Sequence, residues 1–369
     1  QALDDNDLGR ALDMLDQHRP KPGQTDLRGW EWRYLWSQTR SDALFTLCQE
    51  TNEIRSLSVS SDGNLVAASV DRWGGLSLWS VPDRREVLRL AQNEQKVCAV
   101  ISPTEPLLAF TGIRFDASGE QRSSLRLWNL ATRQMIAEKA LDGECRHLAI
   151  AADGGTLVTV TRGDSTIYRS GGHITLWRLP AGTELRSYPL GGSGFAVTPD
   201  LRLAAVSGRV VELKDGQELW NRTGDARPLA FSPDGKLLAG ADGDDILLWD
   251  AATGQEVDRL VGHQSGVNSL VFWPDGKKLA SGSSDRTIRI WDIPTRTCVD
   301  TLRGHRKQVG QVALMPDHQT LVSGCQDGSV CLWDTSVNHP RRPRIEIPDK
   351  VRAWAFEADS KSVVTFNSR

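Results

Sequence analysis

Apolar runs of five to seven residues alternate with short polar turns along most of the chain, and the alternation itself repeats. Residues 267–292 read VNSLVFWPDGKKLASGSSDRTIRIWD, and residues 309–334 read VGQVALMPDHQTLVSGCQDGSVCLWD. Each stretch holds three apolar runs with turn residues between them, which predicts an antiparallel meander. A fourth run follows the tryptophan, as in residues 297–302. Tryptophan marks the period. Trp79, Trp128 and Trp177 stand 49 residues apart, and Trp249, Trp291 and Trp333 stand 42 apart. The 72 residues between Trp177 and Trp249 leave room for one more unit, without tryptophan, around Phe195 to Leu213. Asp62-Gly63, Asp153-Gly154, Asp234-Gly235 and Asp275-Gly276 supply the tight first turns; such pairs tolerate the left-handed backbone that a short β connection needs. Seven comparable units follow.

The repeat accounts for an otherwise odd composition, thirteen Trp against three Tyr. Charge adds little: 44 Lys and Arg oppose 47 Asp and Glu. A dedicated nucleic-acid binder would carry a basic excess, so nucleic acid is not an expected partner. No stretch approaches eighteen apolar residues, so direct membrane insertion is not expected either. Cys48, Cys98, Cys145, Cys298, Cys325 and Cys331 sit singly inside apolar runs and read as reduced core fillers. A bridge between Cys325 and Cys331 is the local alternative. Reduced thiols lean towards a cytoplasmic setting.

Four-stranded units of about 36 to 49 residues closed by Trp or Trp-Asp resemble the WD-repeat family. The resemblance covers residues 43–369, strongest in the fifth to seventh units. It implies an all-β, seven-bladed propeller. It also implies a buried His, Ser or Thr, Asp and Trp network in each good blade. The sixth unit matches with His263, Ser281, Asp285 and Trp291, and the seventh with His305, Ser323, Asp327 and Trp333. These sets imitate a hydrolase triad, but they recur at one spacing in adjacent units, whereas a catalytic set is needed once and exposed. No nucleophile elbow is present to expose the serine.

The ends break the pattern. Residues 1–42 predict a helical hairpin, with Leu3, Leu8, Ala11, Leu12 and Leu15 near helical spacing and Pro20 and Pro22 ending the first helix. Asp26 to Trp36, after Arg19-Pro20-Lys21-Pro22-Gly23, resembles the joint ahead of WD-repeat regions in bacterial multidomain proteins, many with an upstream serine/threonine kinase domain. Both ends look cut, as in a piece of a larger polypeptide. Residues 43–349 are assigned to the propeller and 350–369 to the start of an eighth blade or second propeller. Residues 43–48 read as a lone outer strand able to complete the last blade, but residues 343–347 offer a competing outer strand. Seven blades is the main reading, and an eight-bladed ring lacking part of one blade is the alternative.

No phosphate loop, kinase catalytic motif, zinc site or calcium loop occurs, so no catalytic residue, metal or cofactor is assigned. Asp242-Gly243-Asp244-Asp245 reads as a solvated turn. Aligning the innermost strands on their turns gives one channel-mouth position per unit: Arg55, Val97, Arg146, Ser193, Arg227, Asn268, Gly310 and Arg352. The second hairpin loops of the first three units are enlarged and share that face, with Arg72-Trp73, Arg114-Phe115 and Tyr168-Arg169. Arg, Trp, Tyr and Phe dominate protein-binding hot spots. Arg55, Arg72, Trp73, Arg114, Phe115, Arg146, Tyr168, Arg169 and Arg227 are therefore the candidate partner-binding residues, for a protein or peptide of acidic character. The expected role is a scaffold or sensory module of a bacterial signalling polypeptide, accessory to an upstream kinase. Sensing of a small ligand or glycan, or a hydrolase using the channel, are the alternatives.

Overall fold

A computed structural model describes residues 11, 14–19, 32, 35–36, 39, 41–115, 121–162, 172–192, 194–222, 227–336, 351–356 and 363–367. Seven four-stranded antiparallel sheets occupy residues 45–334 and form the blades of a β-propeller. Six run in chain order from the inner strand outward, with first strands at Ile54–Val59, Gln95–Ile101, Glu144–Ile150, Phe195–Val197, Leu229–Phe231 and Val267–Phe272. The seventh is composite. Val309–Leu314, Thr320–Cys325 and Ser329–Asp334 supply three strands, and Phe45–Gln49 supplies the outermost.

Each sheet buries both faces, because a neighbouring blade covers each side. Seven separate apolar clusters result, one at each blade-to-blade boundary. This explains why the second and third strands of most blades are apolar almost throughout, while the outer strands are mostly exposed. Cross-blade hydrogen bonds add direction to these contacts. Ser56 and Ser58 in blade 1 accept from the backbone N–H groups of Ala99 and Ile101 in blade 2 at 3.2 and 2.9 Å. Ser269 in blade 6 accepts from Val312 in blade 7 at 3.0 Å.

Closure is settled by the boundary between blades 7 and 1. Val322, Val330 and Leu332 pack directly against Ile54, Val66 and Ala68. No blade intervenes there, so the eight-bladed alternative is excluded. The outer edge of blade 7 is filled by Phe45–Gln49, paired with Ser329–Asp334. Such pairing covers an edge whose N–H and C=O groups would otherwise be open to other chains. The competing strand at 343–347 lies outside the described residues.

Ahead of the propeller, residues 11, 14–16, 32, 35 and 36 are helical. The Trp32 indole donates to the Leu15 carbonyl at 2.9 Å and stacks on Trp36, so the two helical pieces touch. Val351–Phe356 pairs with Val363–Asn367 as a two-stranded hairpin in a unit of its own. All six cysteines are free thiols, so Cys325 and Cys331 form no bridge. Among the described residues no helix is long and apolar enough to cross a membrane.

Candidate partner-binding face

The first strand of most blades carries a β-bulge near its start, and the bulged residue is what reaches the channel mouth. The register shifts across Arg55 in blade 1, Arg146 in blade 3, Asn268 in blade 6 and Gly310 in blade 7. A bulge leaves one residue unpaired and re-aims its side chain. In blade 2 the shift spans two residues, Lys96 and Val97. The expectation for Val97 is corrected here. Val97 is fully buried in the cluster between blades 1 and 2, and Lys96, at φ 52°, presents its ammonium instead. An apolar side chain gains by burial, and the extra residue lets the chain bury it while a cation faces out. Ser193, Tyr168 and Arg169 lie outside the described residues, as does the side chain of Arg352.

Glu144 organises the rim. Its carboxylate lies 2.7 Å from Lys96 Nζ, 3.3 Å from Arg146 Nε and 3.5 Å from Arg55 Nη2. Burial alone would raise its pKa, but these three cations hold it below the ordinary carboxylate range. Arg55 also approaches Asp71 at 3.8 Å. The rim arginines are thus partly paired, with the carboxylate tucked behind them and the cations further out. Glu144 has 11% of its side chain exposed, against 40% for Lys96. Arg227 is exposed at the channel mouth in blade 5.

Outside the rim, Trp73 of blade 1 and Phe115 of blade 2 pack on each other with ring centroids 6.2 Å apart. They remain 51% and 47% exposed. Arg72 and Trp73 both adopt left-handed backbone, at φ 53° and 71°. That conformation is uncommon for bulky residues. Arg114, on the same hairpin as Phe115, donates from Nε to the buried Glu94 at 2.6 Å. Arg72 is 84% exposed, with Asp71 3.9 Å away.

The structure brings the residues of the sixth blade's network together. Trp291 Nε1 donates to Ser281 Oγ at 2.8 Å, Ser281 Oγ lies 2.7 Å from His263 Nε2, and His263 Nδ1 lies 2.7 Å from Asp285. In blade 7, Trp333 donates to Ser323 at 2.6 Å and Ser323 lies 2.6 Å from His305 Nε2. Asp327 is reached through Ser329, which sits 3.4 Å from His305 Nδ1 and donates to Asp327 at 2.6 Å. Both serines are fully buried, so neither can meet a substrate carbonyl.

Two functional carboxylates escaped the sequence reading. Glu50 stands four residues ahead of buried Ile54, the place that His263 holds ahead of Val267 and His305 ahead of Val309. It accepts from Ser77 (2.7 Å), Trp79 Nε1 (3.2 Å) and Arg89 (3.0 Å). Glu94 occupies the corresponding corner of blade 2 and forms a buried two-bonded pair with Arg126, one bond being 2.7 Å. The available signal was an Arg two residues before the tryptophan Trp128, inside an apolar strand. Among the described residues no group of three or more His, Cys, Asp or Glu is placed to hold a metal. Asp245, in the acidic turn of blade 5, pairs with Arg259 at 2.9 Å.

The family described as "WD domain, G-beta repeat" matches residues 254–292 and 296–334. The human Kinesin-like protein KIF21B is 28% identical over 189 residues, which are 50% of this chain. The match spans 10% of that protein's length. The chain is thus a seven-bladed β-propeller in which residues 254–292 and 296–334 match WD repeats.

Proposed function

We propose that the face made by the channel rim and the second hairpins of blades 1–3 captures an acidic segment of a protein partner. In this reading the propeller is the scaffold or sensory part of a bacterial signalling polypeptide with a serine/threonine kinase domain upstream. The observation that carries the binding reading is the Trp73–Phe115 pair, half-exposed and flanked by Arg72 and Arg114. Aromatic and arginine anchors of this kind concentrate binding energy. The buried carboxylates of Glu94 and Glu144 fix cations in place, which reduces the ordering cost of binding. The kinase association is supported by the resemblance of residues 19–36 to the joint in kinase-fused proteins, and the free thiols fit a cytoplasmic setting.

Two measurements test this. Fluorescence anisotropy with a set of acidic, aromatic-containing peptides should show binding that Trp73→Ala with Arg146→Ala abolishes, while the melting temperature stays within a few degrees. Binding of sugars alone, seen as a thermal shift, would turn the reading to glycan sensing. For the kinase association, the native polypeptide is recovered with an antibody against the propeller and assayed for phosphate transfer from ATP. Native material of 40.7 kDa without transfer would make the propeller a free-standing adaptor.

A further inference from the structure

We infer that the channel mouth is a second site, independent of the aromatic pair, for a small molecule bearing two or more phosphate or carboxylate groups. The channel has a volume of about 630 Å³, enough for a molecule of that size. Its wall includes Arg55, Arg146 and Arg227, from blades 1, 3 and 5, and among the described residues it contains no Asp or Glu. The three guanidinium groups come from alternate blades around the ring, so one anionic group cannot engage all of them. A ligand with several separated anionic groups can.

Arg55 and Arg146 are only partly used within the protein. Arg55 makes a long hydrogen bond to Glu144 at 3.5 Å, and Arg146 lies 3.3 Å from the same carboxylate out of line for a hydrogen bond. Nε of both arginines is buried without a hydrogen bond, so contact with a ligand falls to their Nη groups. Glu144 thereby orients two guanidinium groups without saturating them, which leaves the fork-shaped donors that suit phosphate and carboxylate. The amide of Asn268 is already engaged, donating to Ser284 Oγ and the Val309 carbonyl at 3.0 Å each. Recognition therefore falls to the arginines. Glu53 and Asp71 line an adjoining recess of about 250 Å³ on the blade 1 side. Their charge confines an anion to the side of Arg146 and Arg227.

The test is calorimetric titration of the full chain with inorganic tripolyphosphate and, separately, with citrate, which distinguishes phosphate from carboxylate as the preferred group. One of them should bind with one-to-one stoichiometry, and Arg146→Gln and Arg227→Gln should each weaken it about tenfold. Arg227 is exposed, so its variant reports on binding even if Arg146→Gln folds poorly. Trp73→Ala should leave the titration unchanged while it weakens acidic-peptide binding, which separates this site from the aromatic pair. No binding of either probe at about 1 mM would overturn the assignment. So would unchanged binding in the Arg146→Gln, Arg227→Gln double variant, or loss of binding in Trp73→Ala.

Discussion

Blades 6 and 7 and blades 1 and 2 solve the same corner with different chemistry. In blades 6 and 7 a buried imidazole, His263 or His305, is joined through a serine to a tryptophan N–H. In blades 1 and 2 the same corner holds a carboxylate, Glu50 or Glu94, answered by Arg89 or Arg126. The consequence is visible at the tryptophan. The position two residues beyond the strand partner of the tryptophan is Ser281, Ser323 and Thr159 in blades 6, 7 and 3, and each accepts the indole hydrogen. In blade 2 that position is Phe110, and Trp128 Nε1 is buried with no partner. In blade 1 it is Ala68, and the hydroxyl has moved across to Ser77 on the tryptophan's own strand. The histidine relay satisfies the tryptophan N–H through its serine, whereas an ion pair concentrates the stability of a corner in two residues. Blades 1 and 2 also carry the exposed aromatic pair, and Glu94 links both functions by holding Arg126 inside and Arg114 outside.

The largest expected effect follows from that concentration. Arg126→Met strands Glu94, which is 2% exposed, and should destabilise the chain by about 3–5 kcal/mol in urea unfolding. Burial favours a neutral Glu94, and only Arg126 and Arg114 hold its pKa low. Adding Glu94→Leu to Arg126→Met should recover most of the loss, because an apolar pair replaces the ions. If the double variant is no more stable than the single one, the corner depends on packing around Arg126, including its 4.7 Å approach to the Phe110 ring.

A histidine corner should lose less. Ser281→Ala removes the acceptor of Trp291 and the partner of His263 Nε2, at a cost of about 2–3 kcal/mol by the same measurement. The comparison sharpens in blade 5, where Gly240 stands in the serine's place and Trp249 Nε1 has no partner. Gly240→Ser should not repair that defect. A Cβ at Gly240 would lie 2.6 Å from Trp249 Cζ3 and 2.8 Å from Leu229 Cδ2, so the ring already fills the serine's space.

How far the sequence revealed these differences depends on repetition. The His-Ser-Asp-Trp sets of blades 6 and 7 were legible because one spacing occurs twice in adjacent units. Glu50 and Glu94 were not, because Arg89 follows Glu50 by 39 residues and Arg126 follows Glu94 by 32, so no common spacing marks the two pairs. The bulged positions Arg55 and Arg146 were found by aligning turns, but the two-residue bulge at Lys96 and Val97 broke that alignment. Ring closure was ambiguous for a different reason. A five-residue strand such as Phe45–Gln49 carries no mark of its partner, and the apolar contacts between blades 7 and 1 decide it.

The two corners also differ in their response to acid. His305 is buried and its pKa is lowered to about 4 by desolvation, with Asp327 opposing the shift. The unfolded chain therefore binds a proton that the folded chain does not between pH 6.5 and about 4. Stability should fall as pH drops through that window, by on the order of 3 kcal/mol, and His305→Gln should flatten the fall. Asp285, whose pKa burial tends to raise but His263 and Thr287 hold well below normal, keeps its contribution until more acid conditions. In blades 1 and 2 Glu94 behaves like Asp285, since its stabilising share is lost only when the pH falls below the usual carboxylate range. A pH profile that His305→Gln leaves unchanged would show that His305 is not its source.

The smallest effect concerns the binding face itself. Arg72 and Trp73 hold left-handed backbone that Asn or Gly adopts more easily. Arg72→Asn should raise stability by about 0.5 kcal/mol in thermal unfolding, because the strain is relieved and the side chain, 84% exposed, makes few contacts. Trp73→Ala should change stability by no more than about 0.5 kcal/mol, since half of the ring is already in water. That outcome would support the proposed binding role of this face, because its backbone strain would then serve something other than folding. If Trp73→Ala instead lowers stability by about 2 kcal/mol or more, its contact with Phe115 is structural and the partner reading of this pair fails.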